Sequence, residues 1–563
     1  MHGTWIDRGL ALRRGAATAA VLLALLGLSG CSPQETETAE AETSETAAAA
    51  NDDRLLAQTQ AGTLEGFRQD GVVKFKGVHY GASTADSGRF LPPQPVPAWE
   101  GVRDASEFGP ICPQTGIVAT GADDSYVVGP IPELPQSEDC LVLNVWTPAL
   151  DGQRPVMVWL HGRGFREGAG SEGWYDGTGL ARHGDVVTIT LNHRLNGFGY
   201  LHLGGLGGEQ FENSGVAGML DIVLALEWVR DNIEAFGGDP DNVTIFGESG
   251  GGFKVSTLMA MPEAEGLFHK AIIQSGAALT SMAPEVADAN ARLLLAELGL
   301  EADQLEALQS VPFEEISEAI VAIERRQEGG MPGSRDGFGF APVVGSSAFP
   351  HHPFEPQPSP HARDVAVMIG TTLHEMTLLS LGDPHRGDLS ESELQARMTQ
   401  MIGEEPTAEL LEIYRADFPD ATPWDLYIAF LSDRVFRIPS IRLAERQSAV
   451  SEQPVYKYLF TWESDFGDPP MRAAHALEIP FVFGTADVVP LTGSRPGQDA
   501  LTRMVQGAWA AFAHHGSPGH ADLPEWAPYD TDARFTMILD VPSWPSEDPL
   551  GAARAAWETI PLD

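Results

Sequence analysis

A serine at position 249 stands among glycines in the stretch "GESGG", from Gly247 to Gly251. The segment before it, "NVTIF", has the β-branched and aromatic residues of a buried strand, and "FKVSTLMAM" after it has the spacing of a helix. A tight strand-to-helix turn needs small residues two before and two after the serine, and it exposes the hydroxyl at the helix N-terminus. We therefore predict that Ser249 is a nucleophile. The alternative is a glycine-rich helix cap in which the serine is passive.

A serine hydroxyl needs a base to remove its proton, and the base needs a carboxylate to orient it. In hydrolases with this turn, the order along the chain is serine, acid, histidine. Two downstream loops fit this order, since "IGTTLHEMT" carries Glu375 just after a strand and "MRAAHALEIPFVFG" carries His475. The pattern alone does not select these two from 16 histidines and 79 carboxylates.

The elements that must position these residues read as a largely parallel sheet with helices between its strands. The runs "PVMVWLHG", "VVTITLNH", "NVTIFG", "KAIIQSG" and "DVAVMIG" are apolar enough for strands buried on both faces. Between the second and third, apolar residues recur at helical spacing from Met219 to Phe236, and Gly237 ends the helix. This alternation predicts an α/β fold. The regions 284–335 and 382–446 are more helical, and we expect caps or lids there.

The N-terminal residues predict export. Three arginines precede an apolar run from Ala16 to Gly30 that is too short to span a membrane. The run ends in "LSGC", which resembles the lipobox of bacterial lipoproteins. By that resemblance residues 1–30 are a signal peptide and Cys31 becomes a lipidated N-terminus. An ordinary secretory signal with an incidental cysteine is the alternative.

Residues 31–52 are acidic, rich in Ala, Thr and Glu, and without an aromatic residue. Such a segment cannot bury enough apolar surface to fold, so we predict a disordered tether and a single folded domain over 53–563. Acyl chains on Cys31 would hold the protein at the cell envelope, and Ser32 after the cysteine favours the outer membrane if the host is Gram-negative.

Two cysteines, Cys112 and Cys140, are left besides Cys31. An exported chain with an even remainder suggests one disulfide, and two free thiols are the alternative. Zinc sites built on cysteines are excluded, and no histidine pair has the spacing of a zinc-binding helix. We therefore predict no metal.

The charge balance limits the partners. The chain has 79 acidic and 35 basic residues, for a net charge of -44. Nucleic acid and anionic lipid surfaces need a basic footprint, so we predict neither as a partner of the folded domain. A solvated acidic surface accounts for the charge, and attraction of a cationic substrate is the other possibility.

Longer segments now identify a family. "FKGVHYG", "RFLPP", "SEDCLVLNVWTP", "EWVRDNIEAFGGDPDNVTIFGESGGG" and "LFHKAIIQSG" together resemble the type-B carboxylesterases, the cholinesterase-like branch of the α/β-hydrolases. The resemblance implies an α/β-hydrolase fold and ester hydrolysis without a cofactor. It also implies a catalytic triad of Ser249, Glu375 and His475, and a disulfide between Cys112 and Cys140.

By the same resemblance, an oxyanion hole takes backbone N–H groups from Arg163, Gly164 and Gly250. Glu248 and Ser275 match positions next to the triad, where a purely structural role is equally compatible with the sequence.

Three positions depart from the family. Arg163 stands where the family has glycine, and a positive φ there would cost about 1–2 kcal/mol. Its guanidinium either lines the pocket and favours substrates with a carboxylate, or turns outward or pairs with an acidic neighbour. Gly250 replaces a frequent alanine. Lys254 replaces a small polar residue, and we expect it on the helix surface or as a packing variant.

The sequence thus predicts a carboxylic ester hydrolase that works through an acyl-enzyme on a small-molecule ester and touches a membrane only through its lipidated N-terminus. Amide or carbamate hydrolysis would use the same site. The alternative from another class is a catalytically impaired cell-surface recognition or adhesion protein on the same fold.

Overall fold

The computed structural model of the protein describes residues 54–115, 133–326 and 338–562. The predicted signal peptide 1–30, the tether 31–52 and Cys31 lie outside the described residues, so that division of the chain stays a prediction. Within the described ranges, no helix has both the length and the apolar character needed to cross a bilayer.

One large sheet organises the described residues. Its strands are β1 (Leu55–Gln58), β2 (Thr63–Gln69), β3 (Val72–His79), β4 (Val102–Asp104), β5 (Val142–Thr147), β6 (Arg154–Leu160), β7 (Val187–Leu191), β8 (Gly238–Glu248), β9 (Lys270–Gln274), β10 (Ala366–Thr372), β11 (Val455–Phe460), β12 (Phe535–Leu539) and β13 (Trp544–Glu547). Their order is β1-β2-β3-β5-β7-β6-β8-β9-β10-β11-β12-β13, with β4 beside β2. From β7 to β12 all neighbours are parallel, and β1, β3, β5 and β13 pair antiparallel. The predicted α/β architecture with a mostly parallel sheet is confirmed.

Helices connect and cover these strands. They are α1 (Thr178–Gly184), α2 (Asn196–Tyr200), α3 (Gly204–Gly207), α4 (Ala217–Asn232), α5 (Gly250–Leu258), α6 (Pro284–Glu297), α7 (Leu305–Gln309), α8 (Phe313–Arg326), α9 (Met376–Leu379), α10 (Glu391–Ile402), α11 (Glu404–Asp417), α12 (Pro423–Ser432), α13 (Ile438–Val450), α14 (Ile479–Phe483), α15 (Gln498–His515) and α16 (Gly551–Trp557). The helix expected to reach Phe236 consists of α4 and a 3₁₀ turn over Ile233–Phe236, and Gly237 closes it with a φ of 76°.

The sheet is buried on both faces, which explains the near-continuous apolar runs of its central strands. Successive side chains of a strand point to opposite faces. Val158 and Ile245 accordingly pack in one core cluster, whereas Trp159 and Phe246 pack in the other. Both clusters are needed to remove these strands from water, so a polar residue on either face would be costly.

The region predicted as a helical cap has a core of its own. Helices α10 to α13 and the C-terminal helix α16 share a cluster that includes Met398, Leu410 and Trp557. Met376, the residue after Glu375, belongs to the same cluster. These helices therefore lie beside the loop that follows β10.

Cys112 and Cys140 are joined by a disulfide with an S–S distance of 2.01 Å, so the predicted bridge is confirmed and the two-thiol alternative is wrong. Gln114, two residues on, exchanges hydrogen bonds with Gly168. The backbone N–H of Gly168 donates to Oε1 of Gln114 at 3.0 Å, and Nε2 of Gln114 donates to the carbonyl of Gly168 at 3.3 Å.

Candidate active site

The carboxyl ends of neighbouring parallel strands bring distant residues to one edge of the sheet. Strand β8 ends at Glu248 and β9 at Gln274, and these two residues pair in the ladder. Gln274 also pairs with Gly370 of β10. Ser249 follows β8 directly and Ser275 follows β9. This edge is where open α/β sheets bind ligands.

Ser249 occupies a strained turn between β8 and α5. Its φ of 55° and ψ of -120° are rare for a residue with a side chain. Its N–H donates to the carbonyl of Gln274 at 2.9 Å, which ties the turn to the next strand. A Cβ on Gly247 would lie 2.6 Å from the carbonyl carbon of Gly251, and one on Gly251 would overlap the carbonyl oxygen of Leu160. The glycines are thus required for close backbone approach.

The loops that carry Glu375 and His475 are paired through their backbones. His374 forms an isolated parallel bridge with Ala474, and its N–H donates to the carbonyl of Ala473 at 2.8 Å. The N–H of His475 contacts the carbonyl of Glu375 at 3.3 Å. This short ladder places the two predicted residues side by side, although they are far apart in sequence.

The carboxylate of Glu375 is fully buried and held on both oxygens. Oε2 lies 2.6 Å from His475 Nδ1. Oε1 accepts hydrogen bonds from Ser275 Oγ at 2.6 Å and from the backbone N–H of Thr372 at 2.8 Å. The predicted neighbour Ser275 therefore fixes the acid rather than the nucleophile.

The other imidazole nitrogen of His475 faces a second carboxylate. Nε2 lies 3.2 Å from Glu248 Oε1, and the ring of Phe436 covers the imidazole at a centroid distance of 4.7 Å. Phe436 lies in a π-helical segment, Asp433–Arg437, between α12 and α13. The sequence placed Glu248 near the triad, and the structure adds that it contacts the imidazole directly.

These carboxylates change the proton affinity of the imidazole. Burial alone would lower the pKa of His475, but Glu248 and Glu375 raise it to about 9. Burial also raises the pKa of Glu248 well above its ordinary value, while the adjacent imidazole opposes that rise. The pKa values of His475 and Glu248 therefore depend on each other's charge.

Sequence reasoning missed a third carboxylate, Glu478. It is fully buried and accepts a hydrogen bond from Gln274 Nε2 at 3.3 Å. Burial and the nearby Glu375 raise its pKa to about 7. Its position three residues after His475, in "HALEI", was the available signal, although the turn between them is not helical, because Ala476 has a φ of 66° and the helix begins at Ile479.

Two of the three predicted oxyanion donors, Arg163 and Gly164, lie on the loop that follows β6, and the third, Gly250, begins α5. We call residues 161–165 the oxyanion loop. Arg163 and Gly164 have φ values of 61° and 62°, so the positive φ considered at Arg163 is present. A Cβ on Gly250 would overlap backbone atoms of Gly164. Glycine at position 250 thus lets the oxyanion loop rest directly on the first turn of α5.

The side chain of Arg163 is mostly buried against an acid. Its Nε lies 3.7 Å from Glu172 Oε2. The carboxylate of Glu172 also accepts hydrogen bonds from Trp174 Nε1 at 3.0 Å and from the N–H of Ala169 at 3.3 Å. This is the arrangement that the acidic-neighbour alternative describes.

Lys254 is fully buried, so its expected place on the helix surface is wrong. Its Nζ donates to the carbonyls of His161 and Gly164, each at 2.8 Å. The reason is that α5 is covered on two sides. Its glycine face lies on the sheet, and the oxyanion loop covers the side that carries Lys254.

Among the described residues, no group of three or more His, Cys, Asp or Glu side chains is arranged to hold a metal ion.

The chain is similar to known proteins over most of its length. The model of the Carboxylesterase family matches residues 53–548. The para-nitrobenzyl esterase of Bacillus subtilis (strain 168) is 37% identical over 492 residues, covering 86% of this chain and 94% of the relative. The phenmedipham hydrolase of Pseudarthrobacter oxydans is 34% identical over 499 residues, with coverage of 86% and 95%.

A solved structure is similar over the same region. The crystal structure of a Geobacillus stearothermophilus carboxylesterase at pH 6.2 matches with a TM-score of 0.78 and 39% identity, covering 90% of this chain and 100% of that chain. These similar proteins are hydrolases of esters or of phenmedipham, so the comparisons do not favour the alternative of an adhesion protein.

Proposed function

The chain belongs to the carboxylesterase family, and we propose that it hydrolyses carboxylic esters through Ser249, His475 and Glu375 by way of an acyl-enzyme. The predicted family, the α/β-hydrolase fold and the class of serine carboxylesterase are confirmed by its relatives. The roles of the three residues and the chemical steps are the proposal.

In the acylation half, Nε2 of His475 takes the proton from Ser249 Oγ while that oxygen forms a bond to the ester carbonyl carbon. The carbonyl oxygen becomes an oxyanion and accepts hydrogen bonds from the N–H groups of Arg163, Gly164 and Gly250. When the tetrahedral intermediate collapses, the bond to the alkoxy oxygen breaks. The leaving alcohol takes the proton from His475, and the acyl group stays on Ser249.

In the deacylation half, His475 removes a proton from water, whose oxygen bonds to the acyl carbon. Collapse of this second intermediate breaks the bond to Ser249 Oγ, and the proton returns to that oxygen. The products are a carboxylic acid and the regenerated serine. Glu375 holds the Nδ1–H tautomer throughout, so that Nε2 remains the nitrogen that exchanges protons.

The observation that carries this proposal is the buried contact of 2.6 Å between His475 Nδ1 and Glu375 Oε2, at the sheet edge where Ser249 forms its strained turn. An orienting acid fixed by two further donors serves a base, and a purely structural imidazole does not need it. The departures Arg163 and Gly250 leave backbone donors in place, because both residues still carry an N–H.

The test is hydrolysis of a p-nitrophenyl ester together with labelling by a fluorophosphonate, which reacts with activated serines. We expect turnover and labelling in the wild type and in Ser392→Ala, a control at an exposed serine of α10, and loss of both in Ser249→Ala. A folded wild type with neither turnover nor labelling would refute the proposal and favour the recognition protein.

The relatives suggest which substrates to compare first. One is named for para-nitrobenzyl esters and another for phenmedipham. We propose that a panel of p-nitrobenzyl esters, short aliphatic esters and phenmedipham will rank benzyl and aliphatic esters above phenmedipham. A reversed ranking would make phenmedipham hydrolysis the main activity of the same site.

We also propose that the protein is exported and held at the cell envelope by lipid on Cys31. The support is the sequence, with its basic residues, apolar run and "LSGC". Labelled palmitate fed to the producing cells should enter the wild type and not Cys31→Ala. Export of an unlabelled wild type would instead support the ordinary secretory signal.

A further inference from the structure

Lys254 lies under the oxyanion loop, and the mechanism above does not use it. The residue is on α5, five positions after Ser249, and its side chain is fully buried. A lysine is rarely buried unless its ammonium has hydrogen-bond or charged partners. The partners of Lys254 therefore indicate what the residue does.

Two hydrogen bonds tie this ammonium to both ends of the segment that supplies the loop donors. Nζ donates to the carbonyl of His161 at 2.8 Å and to the carbonyl of Gly164 at 2.8 Å. A peptide unit is planar, so these two bonds fix the N–H directions of Gly162 and Phe165, the residues that follow the held carbonyls. The N–H groups of Arg163 and Gly164 belong to the peptide units that lie between the two fixed carbonyls.

The segment between the fixed carbonyls has a backbone conformation that needs support. Arg163 and Gly164 both have φ near 60°. Two successive residues in the left-handed conformation direct their N–H groups away from helix or sheet partners. The left-handed conformation is also unfavourable for a residue with a Cβ, such as Arg163. Such a conformation persists when surrounding contacts impose it, and the charge-assisted bonds from Lys254 are of the strong kind.

The buried acid Glu172 offsets positive charge on Arg163 and Lys254. Glu172 lies 3.7 Å from Arg163 Nε and is also the acid whose field favours the charged form of Lys254. Burial lowers the pKa of Lys254 to about 7, against the effect of Glu172. The ring of Phe165 lies 5.4 Å from Nζ and adds a cation–π contact.

We propose that Lys254 is a positioning residue of the oxyanion hole, which keeps the N–H groups of Arg163 and Gly164 directed at the developing oxyanion by holding the carbonyls of His161 and Gly164. The inference rests on the ester hydrolysis proposed above. It predicts that the ammonium matters more to the transition state than to the bound substrate.

The test compares Lys254→Met with the wild type, because methionine keeps the length and packing of the stem and removes the donors. We expect kcat for a p-nitrophenyl ester to fall about 10- to 100-fold, with KM changed by less than about threefold. A trifluoromethyl ketone forms a tetrahedral oxyanion on the serine, so its affinity should fall by a similar factor. The affinity for the matching secondary alcohol, which forms no oxyanion, should stay the same.

Lys457→Met is the matched control. Lys457 lies on β11, is also buried, and also has a pKa lowered by burial to about 7, but the charged groups that act on it are Arg437 and Glu445. We expect this variant to keep the kcat and both inhibitor affinities of the wild type. Lys254→Leu, which also lacks a donor, replaces Lys254→Met in the same comparison if the methionine variant does not fold.

The outcomes separate the two proposals. A folded Lys254 variant with the kcat and ketone affinity of the wild type would overturn this inference alone. An equal loss of affinity for the ketone and the alcohol would also overturn it, because it would mean that Lys254 only supports the fold. A wild type without turnover would refute the proposed function and this inference with it.

Discussion

The candidate site has two halves that are built in opposite ways. In the acid–base half, the imidazole of His475 is surrounded by the buried carboxylates of Glu248, Glu375 and Glu478. In the oxyanion half, the carboxylate of Glu172 faces the guanidinium of Arg163, and its field acts on the amine of Lys254. Acidic groups therefore outnumber the basic one around His475, whereas two basic groups accompany one acid beside the oxyanion loop.

This difference matches the charge that ester hydrolysis creates. In the proposed mechanism, proton transfer makes an imidazolium at His475 while negative charge develops on the carbonyl oxygen. Acidic neighbours stabilise the imidazolium, and basic neighbours stabilise the oxyanion. The two halves also differ in how they are held, since side-chain and backbone hydrogen bonds at strand ends fix Glu375, whereas one buried ammonium fixes the oxyanion loop.

Glu375→Gln should have the largest effect on the acid–base half. An amide at this position can present N–H to Nδ1 and so stabilise the wrong tautomer, and we expect kcat to fall roughly 10⁴-fold. Steady-state kinetics with a p-nitrophenyl ester measures it. Glu391→Gln, an exposed glutamate on α10, is the control, and a loss below tenfold in Glu375→Gln would remove Glu375 from its proposed role.

Gly250→Ala should have the next effect, on the oxyanion half. The added methyl group would overlap the backbone of Gly164 and push the oxyanion loop away from α5. We expect kcat to fall about 10²- to 10³-fold, which is the effect of losing one oxyanion donor. An unchanged kcat would contradict this prediction, because it would show that the oxyanion loop accommodates the methyl group without moving its donors.

Glu248→Gln should change the pH dependence of the acid–base half. The neutral imidazole is the base, so kcat/KM should rise with pH until the pKa of His475, about 9, is passed. Removing the carboxylate at Nε2 lowers that pKa, so the rising limb moves to lower pH. A pKa that is lower by one gives about ten times more neutral imidazole at pH 7. If kcat/KM rises over the same pH range in the wild type and in Glu248→Gln, Glu248 does not affect the pKa of His475.

Arg163→Gly should have the smallest effect. Glycine relieves a positive φ that costs about 1–2 kcal/mol, but the change also takes a cation from Glu172, so we expect the free energy of unfolding to shift by less than about 1 kcal/mol. The preference between a neutral ester and its carboxylate-bearing analogue should stay the same, because the guanidinium lies against Glu172. A fall in the rate with the acidic ester alone would instead put the guanidinium in the pocket.

The sequence predicted most of the acid–base half because its residues follow strands. Apolar runs mark where β8 and β10 end, and parallel strands put their carboxyl ends on one edge. Ser249 was found from this local pattern, but Glu375 and His475 needed the family resemblance. The contact of Glu248 with Nε2 depends on the path of a loop more than 200 residues away, which no periodicity shows.

The oxyanion half was predicted less well because its contacts are made by irregular backbone. The sequence indicated the cost of a positive φ at Arg163 without predicting that φ, and the partner of Arg163, Glu172, lies in a loop without a repeating pattern. Lys254 was expected on the helix surface or as a packing variant, and nothing in the sequence chose between the two. Only the packed position of the oxyanion loop shows that the helix has no solvent on that side.

The disulfide between Cys112 and Cys140 has a consequence for producing the protein. It fixes the chain next to Gln114, whose side chain forms two hydrogen bonds with the backbone of Gly168. Gly168 lies in the segment that leads from the oxyanion loop to Glu172. A disulfide forms in an oxidising compartment and not in a reducing cytosol. Protein made in the cytosol should therefore lack the disulfide and hold the segment beside Glu172 less firmly. Oxidative refolding should form the disulfide and restore the contact between Gln114 and Gly168.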